Sequence, residues 1–513
     1  MDSLPTEVLV HIFSYLKPCD RLETSLVCKR WLQVNNCLDL LKDIHLTIYE
    51  PCFLPDQLSR NFSSFKFRRI VIDCNFVALL KLLGRQLYYL SLGDCDFSRE
   101  LDDFDGKVDY LNNLKILEIT QTSAFYLFSS LPLLVELYLY TEFSISDQTL
   151  LRFKYMMPKL RVFFLSCDIC FDKRAYKRFY PNEINVETNP SPMVLSFPAV
   201  EFYIRERSRT LQVLGFDHTS ISAAALSAIS NIENLQLQKI SLRDCKECGK
   251  GLEDLFRNQT QLKEVNLNGV REILSDAVKA MCLLPNLRKV KVSESQYITR
   301  FSAERIFQLS KLEEIDFSKC KDITVNGFDL ATSQLKAFKL KVINLSSCNI
   351  GSKAISKLIN SCRYLTFLDL SDCEVSDQNV NEMSRMLALL TYLKLSRCRG
   401  ITDLALTGYS NCDMKEEQEK NMSLPEDSNP KMNVKKNENW SLSNIKGLKK
   451  LYLNDCHQIT SVGIVEGLKL QELDTLDIRG CSISANVVCN LRTQNPNLDI
   501  IFDTESGPEW LIL

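Results

Sequence analysis

The sequence predicts an α/β protein, a solenoid of about 17 short repeats with a small all-α segment in front of it. A nine-residue pattern, L-x-x-L-x-L-x-x-C with other apolar residues allowed at the leucine positions, recurs along the chain. Most of its clear copies begin 25 residues apart. Residues 3–36 lie outside the pattern, and their apolar residues have helical spacing instead.

The all-α segment contains "SLPTEVLVHIFSYLKPCDRLETSLVCKRWLQVNN". Pro5 suits the first turn of a helix, and Glu7 places a negative charge at its positive end. The apolar residues of this helix recur at helical spacing, at Val8, Leu9, Ile12, Phe13 and Leu16. Leu22, Leu26 and Val27 predict a second short helix, and Trp31 with Leu32 predicts a third. So small a segment cannot bury all of these side chains, so we expect it to pack against a partner or the adjoining repeats.

The repeats are located by the first position of the nine-residue pattern. Clear matches begin at Leu237, Leu262, Leu287, Leu312, Leu340, Leu365, Leu390, Leu448, Leu473 and Leu498. Weaker matches begin at Leu41, Phe67, Leu87, Leu114, Leu134, Leu160 and Leu211. The clear matches are spaced by 25 residues, except for one step of 28 and one of 58. The step of 58 equals one period plus an insertion of 33 residues, so the period continues after it.

Each repeat is predicted to be a strand followed by a helix. The central L-x-L has the two-residue period of a strand, and the residues that follow return to helical spacing. In "CEVSDQNVNEMSRML" the apolar side chains share one helical face, and Ser376 or Asp377 can cap the helix. A single unit cannot close a core, so stacked units predict parallel strands on an inner curve and helices outside.

Cysteine occupies the ninth position in eight units, at Cys95, Cys245, Cys320, Cys348, Cys373, Cys398, Cys456 and Cys481. A buried free cysteine behaves as a small hydrophobe, so we expect these residues to fill the turn after the strand. Two C-x-x-C pairs, Cys167 with Cys170 and Cys245 with Cys248, leave a zinc site as an alternative. Their wide separation and the repeat's own use of Cys245 favour the structural interpretation. We expect no metal and no cofactor.

Composition and charge restrict the function. With 45% hydrophobic residues, 25% charged residues and a net charge of -2, nothing favours a nucleic-acid or acidic-membrane partner. The sequence has no secretory signal and no apolar run long enough to span a membrane. We therefore expect a protein of the cytoplasm, with the nucleus as a further location, and reduced thiols. The four histidines, His11, His45, His218 and His457, lie in unrelated contexts and suggest no catalytic pair.

The string L-P-x-E-V-L-x-x-I-F-S-Y-L followed by L-V-C-K-R-W resembles an F-box. The repeats, with continuations such as "CHQITSVGI" and "CRGITDLAL", are similar to those of the F-box and leucine-rich-repeat family. The resemblance implies an F-box at 1–45 and a leucine-rich-repeat solenoid, a horseshoe of about 16 to 17 units, at 46–513. Some relatives end in a prenylation motif, but this sequence ends "PEWLIL".

The family resemblance implies a substrate receptor of an SCF-type ubiquitin ligase. The F-box would bind the Skp adaptor, which connects it to a cullin-RING ligase, and the repeats would hold the protein to be ubiquitylated. The residues expected to bind the adaptor are Leu4, Pro5, Glu7, Val8, Ile12, Phe13, Leu16, Val27 and Trp31. Such a receptor is not an enzyme, because it contributes proximity rather than chemistry. A repeat scaffold that binds proteins without a ligase role is the alternative.

The substrate is expected on the concave face, to which the third, fifth and seventh positions of each repeat point. Three late repeats are unusual there, and the predicted contacts are Phe367, Asp369, Tyr392, Lys394, Lys450 and Tyr452. We expect Phe367 to stack beside Tyr392 and Lys394 to lie against Tyr452, because neighbouring strands are about 4.8 Å apart. An earlier group of aromatic residues, Tyr138, Tyr140 and Phe164, is a second candidate.

Two regions depart from the repeat. Residues 172–209 mix basic and aromatic residues, for which a solvated outer helix is favoured over a nucleic-acid surface. Residues 413–439 are polar and charged, so we expect a disordered insertion away from the concave face.

Overall fold

The computed structural model describes residues 4–49, 61–97, 111–120, 127–140, 145–171, 186–271, 273–295, 298–323, 339–408, 441–468 and 473–503. The chain divides into two compact units, an N-terminal unit, Met1–Leu262, and a C-terminal unit, Lys263–Leu513. The insertion predicted at 413–439 and the basic and aromatic stretch at 172–185 lie outside the described residues. Among the helices that are described, none is long and apolar enough to cross a membrane.

The N-terminal unit begins with a group of short helices. They are α1 (Thr6–Ser14), α2 (Pro18–Thr24), α3 (Lys29–Asn35) and α4 (Leu38–Leu41), one more than the sequence predicts. Pro18 is the first residue of α2, where its missing N–H costs no hydrogen bond. At the start of α3 the Cys28 sulfur accepts a hydrogen bond from the Trp31 amide. Leu9, Phe13, Val34 and Leu40 form a small core of their own.

The strands of the N-terminal unit are β1 (His45–Ile48), β2 (Ser64–Arg68), β3 (Val71–Ile72), β4 (Tyr89–Gly93), β5 (Asp96–Phe97), β6 (Ile116–Ile119), β7 (Glu136–Tyr140), β8 (Val162–Ser166), β9 (Val213–Gly215) and β10 (Lys239–Ser241). Helices α5 (Cys74–Leu83), α6 (Asp147–Met156), α7 (Phe197–Glu206), α8 (Ala223–Ser230) and α9 (Gly251–Asn258) alternate with them. Eight strands pair in the parallel order β1-β2-β4-β6-β7-β8-β9-β10, while β3 and β5 pair separately.

The C-terminal unit repeats the same arrangement. Its strands are β11 (Glu264–Asn266), β12 (Lys289–Lys291), β13 (Glu314–Asp316), β14 (Val342–Asn344), β15 (Phe367–Asp369), β16 (Tyr392–Lys394), β17 (Lys450–Tyr452), β18 (Thr475–Asp477) and β19 (Asp499–Ile501), each parallel to the next. Its helices are α10 (Ser275–Met281), α11 (Arg300–Phe307), α12 (Ser352–Ser361), α13 (Asp377–Met386), α14 (Asp403–Thr407), α15 (Ser461–Gly467) and α16 (Ala485–Gln494). The predicted α/β repeat fold is confirmed.

The strand register confirms the repeat pattern. Residues at the fourth position lie side by side on neighbouring strands and are buried, as Leu368 beside Leu393 shows. Leu393 also pairs directly with Leu451, although 58 residues separate them, so the long step is one period with an insertion.

The first two matches and the last one are misplaced. Phe67 is the sixth position of its repeat rather than the first, because Phe65 pairs with Leu90 and Phe67 with Leu92. Leu46 pairs with Phe65, so the match beginning at Leu41 is two residues early. At the end, Leu476 pairs with Ile500, so the pattern begun at Leu498 is displaced by one residue. In all three places several adjacent apolar residues fit the pattern in more than one frame.

The ninth-position cysteines have a definite structural role. The thiol of Cys348, for example, donates to the carbonyl of Phe317, the sixth residue of the preceding repeat, at 3.0 Å. The same contact is made by Cys95, Cys245, Cys320, Cys373, Cys398, Cys456 and Cys481, at 3.0–3.9 Å. Within the described part of the chain, no cluster of three potential metal-ligating side chains occurs.

Candidate protein-binding surfaces

The first candidate surface is the exposed apolar face of the N-terminal helices. Helix α1 turns Leu9 and Phe13 inward, while Val8 and Ile12 remain 40% and 39% exposed. Further exposed apolar side chains on these helices and the turns between them are Tyr15, Leu22, Leu26, Val27 and Leu32. Large apolar side chains that stay exposed on adjacent helices are typical of a protein-binding site. We call this set, with Val8 and Ile12, the helical apolar face.

Apart from Phe13, the predicted adaptor-binding residues fall into two groups. Pro5, Glu7, Val8, Ile12 and Val27 are exposed. Leu4, Leu16 and Trp31 are partly buried against the small core.

Phe13 requires a correction. It is only 2% exposed and packs edge-on against Trp31, with ring centroids 5.1 Å apart, so it belongs to the core and not to the surface. Its helical spacing from Leu9 could have indicated this inward face. Sequence reasoning did not include Tyr15 and Leu22 among the adaptor contacts, although Tyr15 lies seven residues after Val8 on the same face of a helix.

The second candidate surface lies on strands β15, β16 and β17. The rings of Phe367 and Tyr392 stack with centroids 4.5 Å apart, and Tyr452 stacks on Tyr392 at 5.3 Å. The Lys394 ammonium lies 5.1 Å from the Tyr452 ring centroid. Both predicted contacts, Phe367 with Tyr392 and Lys394 with Tyr452, are therefore present. We call Phe367, Tyr392, Lys394, Lys450 and Tyr452 the aromatic-lysine patch.

The charges in the aromatic-lysine patch are not balanced. Lys394 and Lys450 both lie within 5.9 Å of the Tyr392 ring centroid. Asp369 is 6% exposed, its carboxylate accepts from the Ser371 amide at 3.0 Å, and it is 4.0 Å from the Lys394 ammonium. The predicted substrate contact Asp369 is thus largely covered and holds the turn after β15. In the described part of the chain, Lys450 has no carboxylate within ion-pair distance.

The tyrosines of this patch interact with each other. The pKa of Tyr452 is raised above its ordinary value, mainly by a hydrogen bond with Tyr392 and to a smaller extent by burial. The neighbouring Lys450 and Lys394 oppose this shift. The Tyr452 phenol therefore remains neutral at physiological pH. The positive charge of the patch comes from its two lysines.

Two lysines at the same repeat positions on β12 are paired with glutamates. Lys289 lies between Glu264 at 3.3 Å and Glu314 at 3.6 Å, and Lys291 lies 2.6 Å from Glu314. Cross-strand neighbours thus neutralise this part of the sheet. The aromatic-lysine patch differs because aromatic rings occupy the positions beside its lysines.

The earlier aromatic group, on β7 and β8, is partly enclosed, because Phe164 is 7% exposed while Tyr140 is 37% exposed. Tyr138 stacks on Phe164 at 5.0 Å, and Phe164 in turn covers Gly215, where a Cβ atom would lie 2.1 Å from the ring. Burial, with a contribution from nearby Asp217 and Glu118, raises the pKa of Tyr140 to about 12. Phe164 therefore contributes little free ring surface, while the Tyr140 side chain remains accessible.

A cavity of about 390 Å³ adjoins the turns that follow β15 and β16. Asp372 and Glu374 line it together with Arg397 and Arg399. Its acidic and basic side chains are equal in number, so it has no preference for a ligand of one charge.

Comparisons with known proteins agree with this architecture. A family model described as F-box-like matches residues 1–47, and one described as leucine-rich repeat matches residues 336–358 and 361–378. The chain thus combines an F-box-like domain with leucine-rich repeats. No curated protein matches the sequence.

Several solved structures are similar in part. The Rad7 and Elc1 complex of yeast matches at 18% identity over 60% of this chain and 82% of that chain, with a TM-score of 0.40. A leucine-rich-repeat protein of Leptospira interrogans matches at 14% identity over 86% and 90%, with a TM-score of 0.43. An internalin of Listeria monocytogenes matches at 14% identity over 83% of each chain, with a TM-score of 0.40. Similarities this low carry no argument about function.

Proposed function

Because the chain is an F-box and leucine-rich-repeat protein, we propose that it is the substrate-recognition component of an SCF-type ubiquitin ligase. The F-box-like domain would bind a Skp adaptor and, through it, the cullin. The repeats would bind the target protein. Such a receptor acts by raising the effective concentration of the target's lysines near the charged ubiquitin-conjugating enzyme, and the complex's other subunits perform the chemistry.

The observation that carries the proposal is the helical apolar face. A segment that already buries Leu9, Phe13, Val34 and Leu40 in its own core still exposes seven large apolar side chains on the same helices and turns. Covering them by a partner would remove apolar surface from water, at about 25 cal/mol per Å². The location of this face within the F-box-like match, residues 1–47, supports a Skp adaptor as that partner.

Two glutamate substitutions in α1, Val8→Glu with Ile12→Glu, test the proposal. Both side chains are exposed in the isolated chain, so the variant should fold normally and lose adaptor binding. The measurement is co-purification of the adaptor and cullin with the tagged full-length protein. Leu283→Glu is the matched control, because Leu283 is an exposed apolar residue outside the F-box-like domain.

We expect the control to retain the adaptor and the α1 variant to lose it. Wild-type protein that brings down neither adaptor nor cullin would instead indicate a repeat scaffold without a ligase role. Equal recovery of adaptor with the wild type and the α1 variant would show that the helical apolar face is not the adaptor site.

A further inference from the structure

The aromatic-lysine patch has the chemistry of a binding site for an acidic segment. Its three rings cover one another's faces, since the centroid distances of 4.5 and 5.3 Å are stacking distances. Two lysine ammoniums lie over the rings of Tyr392 and Tyr452, at 5.1–5.9 Å from the ring centroids. The rings are neutral, so the net charge of the patch is positive and attracts negative charge.

Within the described residues, the chain supplies too little negative charge to balance the two lysines. Both ammoniums lie within 5.9 Å of one ring centroid, so each experiences the other's repulsion. The carboxylate of Asp369 lies 4.0 Å from the Lys394 ammonium, which is a long distance for an ion pair. This carboxylate also accepts a hydrogen bond from the Ser371 backbone amide. An anionic group bound between the lysines would relieve this repulsion.

The spacing of the lysines favours an extended chain as the ligand. Lys394 is paired with Tyr452, and Lys450 is two residues before Tyr452 on the same strand. The two lysines are therefore offset by two residues along the strands and by one strand across, or about 8 Å between Cα atoms. Alternate side chains on one side of an extended peptide are about 7 Å apart. Acidic residues at alternate positions match this spacing.

We propose that the aromatic-lysine patch binds a short extended segment of the target protein that carries carboxylates at alternate positions. This rests on the proposed function only in that the segment belongs to a target for ubiquitylation. The aromatic rings exclude water from one side of the ion pairs, which strengthens them.

The test uses the full-length protein and a synthetic octapeptide with glutamate at every second position and serine between. A matched octapeptide has glutamine in place of glutamate. We expect calorimetry to detect binding of the glutamate peptide, weakening with added salt, and none of the glutamine peptide. Lys394→Ala with Lys450→Ala should reduce the affinity by about tenfold or more, as loss of two central charged contacts does.

The chain offers a matched control in Lys289→Ala with Lys291→Ala, which removes two lysines at the same repeat positions that are already paired with glutamates. This variant should bind the peptide as the wild type does. Thermal melting of both variants checks that they are folded.

Absence of peptide binding by the wild type, equal binding of the glutamine peptide, or equal losses in both lysine variants would overturn the proposal. If the wild type binds no peptide but self-associates, and the Lys394 and Lys450 substitutions abolish the self-association, the proposal is overturned in favour of a second copy of the chain.

Adaptor co-purification, measured on the same proteins, separates this proposal from the proposed ligase function. Peptide binding without adaptor binding would refute the ligase role alone. Adaptor binding without peptide binding would refute only the proposal of an acidic segment.

Discussion

Single residues at the eighth repeat position determine how the chain leaves each strand. Among the described repeats this position has a positive φ in all but one, the exception being Cys167, and it is glycine at Gly269 and Gly480. Elsewhere it holds other residues, namely Arg69, Asp94, His218, Asp244, Glu294, Lys319, Ser347, Asp372, Arg397 and Asp455. A left-handed conformation costs a residue with a Cβ atom about 1–2 kcal/mol, and the stacking of neighbouring repeats offsets that cost. The nine-residue pattern alone does not indicate this conformation.

Ser347→Gly should therefore stabilise the protein. Its φ of 56° is one that glycine adopts freely, so we expect the free energy of unfolding to rise by about 0.5–1 kcal/mol. Chemical denaturation measures it. Lys353→Gly, an exposed position inside α12, is the control and should cost about 1 kcal/mol. A destabilised Ser347→Gly protein would show that the turn does not carry this strain.

The buried repeat cysteines should resist alkylation. Burial is the largest cause that raises the pKa of the Cys320 and Cys373 thiols from 9.0 to about 12. In the folded protein at pH 9 we expect iodoacetamide to modify the exposed Cys28 and Cys489 but not these two, as peptide mass spectrometry can show. Modification of Cys320 and Cys373 at the same rate as Cys28 would contradict their burial.

The same shifts give a pH dependence. Because the folded pKa is above the ordinary value, the unfolded chain loses the thiol proton first. The stability contributed by these thiols is thus complete below pH 9 and is lost as the pH rises towards 12. Thermal melting of the wild type and of Cys373→Ala at pH 8 and 10.5 measures it, and the wild type should lose more stability over this interval.

At the scale of elements, aspartates at helix starts connect successive repeats. Asp403, the first residue of α14, accepts from the backbone amide of Thr460 at 2.8 Å and from its hydroxyl at 2.6 Å. Thr460 in turn caps α15. Asp377 binds Thr402 in the same way, and Asp147 binds Ser196. Each carboxylate thereby fixes the position of the next helix.

Asp403→Ala should cost about 2–3 kcal/mol, because it removes two hydrogen bonds to a charged and largely buried carboxylate. Urea denaturation of the variant gives the value. Asp276→Ala is the matched control, since Asp276 also lies in the first turn of a helix but forms an exposed ion pair with Lys279. We expect the control to lose less than about 1 kcal/mol. Equal losses of stability in the two variants would mean that an aspartate in the first turn of a helix stabilises the protein by itself, without the contact between repeats.

At the scale of the whole molecule, the repeat register continues across the longest interruption. Strands β16 and β17 pair directly in the same frame as their neighbours, although 33 more residues than usual lie between them. The sheet pairing therefore does not depend on the additional residues.

Deletion of residues 413–439 should leave the stability nearly unchanged. Loop length contributes only about 0.6 kcal/mol per doubling, and a shorter connection favours folding slightly. We expect the melting temperature to change by less than about 3 °C. Deletion of one whole repeat, residues 365–389, is the comparison. It should lower the melting temperature by more, because the helix and strand contacts of that repeat are lost. A large drop after the first deletion would mean that the inserted residues pack against the repeats.

The sequence by itself determined the period, the buried fourth and sixth positions, the place of the cysteines and the helical character of the first residues. These properties are local, because the pattern of apolar side chains decides which side of a strand or helix is buried. It also placed Phe367 beside Tyr392, since strands that repeat in register bring equivalent positions together.

Only the tertiary structure decided the properties that depend on neighbours distant in the sequence. Among these are the frame of the first two repeats, the burial of Asp369, and the pairing of Lys289 but not of Lys450. A side chain's polarity is written in the sequence, but its partners are set by the register between strands. The net charge of a surface is the charge that these partners do not neutralise. It is therefore determined only once the repeats are stacked.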